Sequence, residues 1–248
     1  MIVNHGKKDR LDRLLVEKGL AQSRHRAQAL ILAGKVRVDG QMVDKAGYPV
    51  DRDRDITLQG SDIPYVSRGG VKLEAAIREF GLDVSGFRCL DVGASTGGFT
   101  DCLLQHGARE IVAVDVGYGQ LAWSLRQDRR VTVMERTNIR HMPPGTILPV
   151  DLVVIDTSFI SLKIVVPAAL PFLKPKSHML VLIKPQFEVG KGKVGKKGVV
   201  RDPNQHRMIL NKLTAFFRDL NFKCRRPIPS PILGPRGNRE FLMYLRNA

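Results

Sequence analysis

The chain has 248 residues, three cysteines, and 40 Lys+Arg against 24 Asp+Glu, for a formal charge of +16. Its length supports one large domain or two unequal ones with an ordinary core, and three cysteines without metal-like spacing exclude a disulfide framework or a cysteine metal centre. No apolar run approaches the roughly 18–20 residues that cross a bilayer, and the opening MIVNHGKKDR has no signal-peptide core, so no stable membrane association is expected.

Cys89, Cys102 and Cys224 read as packing residues of a protein in a reducing, cytoplasmic compartment. The charge is unevenly spread: residues 184–248 hold 15 basic and 4 acidic residues, whereas 1–66 hold 12 and 9. Clustering of this kind suits contact with a polyanion, because each neutralised phosphate releases counterions.

Taken in chain order, residues 10–32 predict two helices. Leu11, Leu14, Leu15 and Val16 share a face, Gly19 stops the first helix, and Ser23 can cap the second, which runs to Gly34. Lys35 to Val38 alternates like a strand, Asp39-Gly40 is a hairpin turn, Gln41 to Val43 returns, and Asp55 to Leu58 predicts a third strand. This order, centred on RHRAQALILAGKVRVDGQMV, resembles the S4-type RNA-binding module. The resemblance implies a domain over residues 1–60 that offers Arg10, Arg13, Arg24, Arg26, Lys35 and Arg37 to RNA backbone. Residues 61–66, SDIPYV, follow as a short linker.

From residue 67 to 248 helix and strand patterns alternate. Helices are predicted over 71–80, 98–105 and 205–220, and strands over 88–92, 110–114, 131–133, 152–155, 179–183 and 240–245. Apolar strands separated by helices predict an α/β fold, a parallel sheet covered on both faces with ligands at the carboxyl ends of its strands.

The stretch DVGASTGGFT follows the strand at 88–92. A nicotinamide fingerprint needs glycine where Ser95 stands, and a phosphate loop needs Gly-Lys-Ser/Thr where Gly98 precedes Phe99, so both nucleotide readings weaken. The pattern resembles the first motif of Rossmann-like methyltransferases. That implies S-adenosylmethionine as cofactor, held by Asp91, Gly93, Ala94, Ser95, Gly97, Gly98 and Phe99, with Gly93 and Gly97 admitting the backbone close to the ligand. Asp115, at the end of the next strand, is placed to accept the ribose hydroxyls. Asn138 stands where such folds contact adenine, although a turn-forming asparagine serves equally well. Asp156 adjoins the same cofactor.

The methyl acceptor is narrowed by what is missing. Val154 to Phe159 lacks the Pro-Pro-aromatic motif of base amino-methylation, and no cysteine is placed as a pyrimidine nucleophile. Lys72, Asp156, Lys184 and Glu240 resemble the catalytic tetrad of FtsJ-type 2′-O-ribose methyltransferases. A lysine must lose its proton to serve as a base; a second lysine favours that loss and two carboxylates oppose it.

Together, VSRGGVKLEAA, DVGASTGGFTDCLLQHGA, VIDTSFISL, IKPQFEVG, VGKKGVVRDP and SPILGPRGNREFL resemble the TlyA family from about residue 8 onward. The resemblance implies 2′-O-methylation of cytidine in ribosomal RNA, with ribosomal subunits as partners, and Arg68 among the RNA contacts. The linker Ile63-Pro64-Tyr65-Val66 departs from the Arg-Ala-Trp-Val common in that family. Two other readings stand beside this one: an RNA-docking factor with a decayed methyltransferase fold, and the membrane-lytic activity suggested by the family's old haemolysin label. Finally, GKGKVGKKGVVRD, residues 190–202, carries Lys191, Lys193, Lys196, Lys197 and Arg201 among glycines. It reads as a flap that orders over RNA phosphates, or as a plain surface loop.

Overall fold

The computed structural model describes every residue except 1–7, 22, 33, 60–62, 191–194, 196–197 and 248, and the side chains of residues 25 and 235. The chain divides into two units, Met1–Ile63 and Pro64–Ala248. The division falls inside the segment expected to be linker. Val66 donates its N–H to Asp101 Oδ2 at 2.7 Å and Tyr65 is buried, so this stretch packs as part of the second unit.

In the first unit, β1 (Lys8–Arg10) leads into α1 (Leu11–Glu17) and α2 (Arg24–Leu32), followed by β2 (Val36–Val38), β3 (Gln41–Met42), β4 (Pro49–Asp51) and β5 (Ile56–Leu58). Gly19 at φ 69° ends the first helix turn, and Ser23 Oγ caps α2 by accepting from Arg26 N–H. Asp39 and Gly40 both have positive φ, as a tight I′-type hairpin requires. β2 lies between β3 and β5, both antiparallel to it, while β1 and β4 pair separately. The core is built from Leu11, Leu14, Leu15, Leu30, Ile31, Val36 and Ile56.

The second unit opens with α3 (Arg68–Phe80), capped by Ser67 and closed by Gly81 in the left-handed region. There follow β6 (Arg88–Val92), α4 (Gly98–Gln105), β7 (Glu110–Val114), α5 (Trp123–Arg126), β8 (Val131–Met134), β9 (Val150–Ile155) and α6 (Leu162–Ala169). The chain continues through β10 (Leu173–Ile183), α7 (Pro185–Glu188), α8 (Pro203–Asp219), β11 (Phe222–Cys224), β12 (Ile228–Pro229) and β13 (Phe241–Asn247). The sheet runs β11-β13-β10-β9-β6-β7-β8. β10, β9, β6, β7 and β8 are parallel, as expected, but β13 is antiparallel to β10 and to β11. The wholly parallel sheet is therefore corrected to a mixed one. The apolar run Phe241–Leu245 marks a buried strand without marking its direction. Strand order reverses between β6 and β9, which makes their carboxyl ends the crevice where ligands bind in such sheets.

Candidate active site

Asp91 lies near the end of β6 and is fully buried. Its Oδ2 accepts from Thr100 Oγ1 at 2.7 Å, while Oδ1 is buried without a partner. Burial, above all, raises its carboxyl to about 7, against the lowering effect of the Thr100 hydrogen bond. An orphaned acceptor of this kind fits a cationic or N–H group arriving from a ligand.

The loop after Asp91 has the conformation its glycines suggest. Gly93 and Gly97 have φ of 87° and 96°. A Cβ on Gly93 would sit 2.6 Å from the Asp156 carbonyl oxygen, and one on Gly97 would sit 2.2 Å from a Leu125 methyl. These glycines seat the loop against the end of β9 and against α5. Gly98 is likewise a packing residue, because its Cβ would meet Ser67 and Gly70 at the start of α3. Phe99 is buried. Ala94 is buried and Ser95 is exposed with φ 49°.

Asp115, just past β7, accepts from Ser95 N–H at 2.8 Å and Gly117 N–H at 2.7 Å, which ties it across the mouth of the loop. Asn138 Oδ1 caps a short turn by accepting from Arg140 N–H at 3.1 Å, the turn-forming role.

The four proposed catalytic groups reach the same edge of the sheet. Asp156 follows β9, Lys184 follows β10, and Glu240 precedes the antiparallel β13, so its first residue lies opposite the last of β10. They form two ion pairs. Lys72 on α3 reaches Glu240 at 2.6 Å, with side-chain exposures of 10% and 0%. Lys184 reaches Asp156 at 2.6 Å, with exposures of 10% and 21%, and donates to Ser158 Oγ at 2.9 Å. The two lysines are equally buried, and the carboxylates differ: Glu240 is sealed in protein and Asp156 is partly exposed. Gly234 is required here, since a Cβ on it would lie 2.0 Å from Glu240 Oε1.

Three further residues near these pairs carry no signal of their own in the sequence motifs. Phe159 is 91% exposed, has φ 65°, and leans on Phe187 with ring centroids 5.1 Å apart. An aromatic residue held in the left-handed region is strained; its place three residues after Asp156 was the available signal. Glu188, on α7, accepts from Ser161 Oγ at 2.6 Å and Leu162 N–H at 2.7 Å, which fastens the Asp156–Ser161 loop to the element that follows Lys184. Asn238 accepts from Val200 N–H at 3.1 Å and donates to Gly198 carbonyl at 3.1 Å, so the far root of the lysine-rich segment is fixed near Glu240. Lys191, Lys193, Lys196 and Lys197 lie outside the described residues. Arg68 is exposed at the start of α3.

In the first unit, Arg10 and Arg24 converge on Asp12, which is fully buried. Arg10 contributes two bonds at 3.0 Å, Arg24 one at 3.1 Å, and Gln28 one at 2.9 Å. These donors hold the Asp12 carboxyl far below the usual carboxylate range, Arg10 foremost. Arg13 pairs with Asp9 at 3.8 Å and Arg37 donates to Gly40 carbonyl. Arg26 and Lys35 are half-buried.

Known proteins resemble this chain over both units. The FtsJ-like methyltransferase family matches residues 65–247, and the S4 domain matches residues 9–56. The 16S/23S rRNA (cytidine-2′-O)-methyltransferase TlyA of Mycobacterium tuberculosis is 48% identical over 239 residues, 96% of this chain and 89% of that protein. Hemolysin A of Brachyspira hyodysenteriae is 42% identical over 238 residues, 95% of this chain and 98% of that one. A solved Streptococcus thermophilus structure with a provisional hemolysin label superposes with a TM-score of 0.77 at 42% identity, covering 98% of this chain and 89% of that one.

Proposed function

Because this chain belongs to the FtsJ-like methyltransferase family and carries an S4 domain, we propose that it transfers the methyl group of S-adenosylmethionine to a ribose 2′-hydroxyl of ribosomal RNA, at cytidine. The observation that carries this reading is the pair of buried lysine–carboxylate contacts, Lys72–Glu240 and Lys184–Asp156, on the edge that also holds Asp91 and Asp115. The TlyA relative's activity supports the substrate class.

Bound S-adenosylmethionine would supply an electrophilic methyl on sulfur. Asp91, with its orphaned Oδ1, is the acceptor for the donor's amino group, and Asp115 for its ribose hydroxyls. Lys184 meets the acceptor hydroxyl, with Asp156 and Ser158 fixing its Nζ. As the hydroxyl oxygen accepts the methyl group, its proton would leave toward the Lys184–Asp156 pair. The buried Lys72–Glu240 pair holds the rim of the crevice and orients charge toward it. Exposed Phe159 offers a flat face on which a base can stack. Arg10 and Arg24, preset by Asp12, suit backbone phosphates.

The test is to incubate the protein with labelled S-adenosylmethionine and separated ribosomal subunits, then map the methylated nucleotide. Label on a cytidine ribose, lost in Lys184→Ala, is the expected result. Label on a base, or undiminished transfer by Lys184→Ala, would refute the reading.

A further inference from the structure

The edge of the sheet farthest from the crevice carries charge that neither the donor site nor the tetrad uses. Lys223 on β11 stands directly opposite Arg246 on β13, and Arg246 stands directly opposite His178 on β10. Arg225 donates its backbone N–H to Tyr244 carbonyl at 2.9 Å, and the two-residue strand period puts its side chain on the same face as Lys223. Lys223, Arg225 and Arg246 are all exposed. Beside them on the same face, His178 and Tyr244 stack with centroids 5.8 Å apart and share a 2.6 Å hydrogen bond, and Phe87 and Phe80 stack on them in turn.

Like charges directly opposite one another across strands are destabilising. The neighbouring carboxylate does not relieve them, because Asp151 is held by Lys174 Nζ at 2.5 Å and by Arg88 N–H at 2.9 Å. Among the described residues this cation row has no acidic partner, and a row of that kind beside a stacked aromatic pair is suited to a chain of phosphates. Along β10, His178 lies six residues before Lys184, or about 20 Å at strand rise.

We propose that Lys223, Arg225 and Arg246 form a second phosphate-binding surface, which grips substrate RNA backbone about 20 Å from the methyl acceptor. The inference rests on the ribosomal-RNA reading above. It adds that the substrate must extend past the catalytic edge onto the outer strands, so that a short RNA carrying only the target nucleotide is a poor substrate.

The test uses the full chain with Lys223→Gln, Arg225→Gln and Arg246→Gln combined, and a labelled RNA hairpin titrated at several salt concentrations. The slope of log affinity against log salt should fall by about two to three units, at roughly 0.7–0.9 for each phosphate no longer neutralised. Methyl transfer to ribosomal subunits should show a raised KM with kcat unchanged. Donor affinity should hold, and the melting temperature should stay or rise, because the like-charge pair is gone. An unchanged slope overturns the proposal. Loss of binding to phosphatidylglycerol vesicles with the RNA slope intact also overturns it and assigns the row to lipid headgroups. If the unsubstituted protein fails to methylate ribosomal RNA, the functional reading falls, while the hairpin slope still decides whether the row binds phosphate.

Discussion

Replacing Asp91 with asparagine should move stability and ligand binding in opposite directions. In the free protein the carboxyl is fully buried, one oxygen has no partner, and its pKa stands at about 7 against an ordinary 3.8. A raised folded-state pKa means the native state binds the proton more tightly than the unfolded chain. Asp91 therefore costs stability as pH rises from about 4 to about 7, and the whole cost is present above that. A difference of that size sets an upper bound of about 4 kcal/mol on the cost. A donor amino group on Oδ1 would offset it, so donor affinity should rise with pH up to about 7, by at most about tenfold per pH unit, and then level off. Asp91→Asn should melt at the same temperature or higher at pH 8. It should bind S-adenosylmethionine about 10- to 150-fold more weakly, from the roughly 1.5–3 kcal/mol of a hydrogen bond to a charged group, and lose the pH dependence. Titration calorimetry at pH 6, 7 and 8 reads the affinity and its pH slope, and a thermal melt at pH 8 reads the stability. Equal affinity in the variant, or an equal pH slope, would refute the placement of the donor's amino group at Asp91.

Asp115→Ala should weaken donor binding by at least about tenfold, through lost hydroxyl acceptors and a loosened Ser95–Gly117 tie; calorimetry showing unchanged affinity would exclude that role. Gly234→Ala forces Glu240 away from Lys72, because the new Cβ would lie 2.0 Å from Oε1. Single-turnover methyl transfer should fall by about 100-fold while donor affinity stays within about twofold, as expected when a site shifts by about 1 Å. Glu188→Ala strips Ser161 and the first N–H of α6 of their acceptor, and should lower stability by about 1–3 kcal/mol in chemical denaturation. Changing Lys191, Lys193 and Lys196 to alanine should flatten the salt dependence of RNA binding by up to about three units, at roughly 0.7–0.9 per phosphate, and leave donor affinity alone.

The elements around the donor loop were legible in the sequence. β6 and α4 begin and end where the apolar runs and glycines place them, flanked by Gly86, Gly93, Gly97 and Gly107, all with positive φ, and β7 is the apolar run that ends before Asp115. α6 was not legible. No element was expected there, because Ile164-Val165-Val166-Pro167 joins β-branched residues to a helix breaker. It is helical because Ser161 and Glu188 satisfy its amino end and because Leu162, Val165, Val166 and Ala169 bury one face. The candidate residues could be read one by one from their place at strand ends, but their pairing could not. Nothing in the sequence says that Lys72 meets Glu240 while Lys184 meets Asp156, since that follows from β13 entering the sheet antiparallel. The glycines of the donor loop were recognised, yet their neighbours proved to be Asp156 and Leu125, contacts that exist only after β9 and α5 have packed.

The position of β13 also sets an order of assembly. It inserts between β10 and β11, both of which precede it in the chain, and it brings Glu240 to a lysine 168 residues earlier. A contact of such long sequence separation closes late, after the loop entropy of everything between has been spent. The parallel strands and the donor loop can pair before β13 arrives, and at that stage Lys72 has no carboxylate. Folding intermediates should therefore hold the methyl donor without being able to use it, and catalytic competence should arise as one of the last events on the folding path, in step with the filling of the gap between β10 and β11.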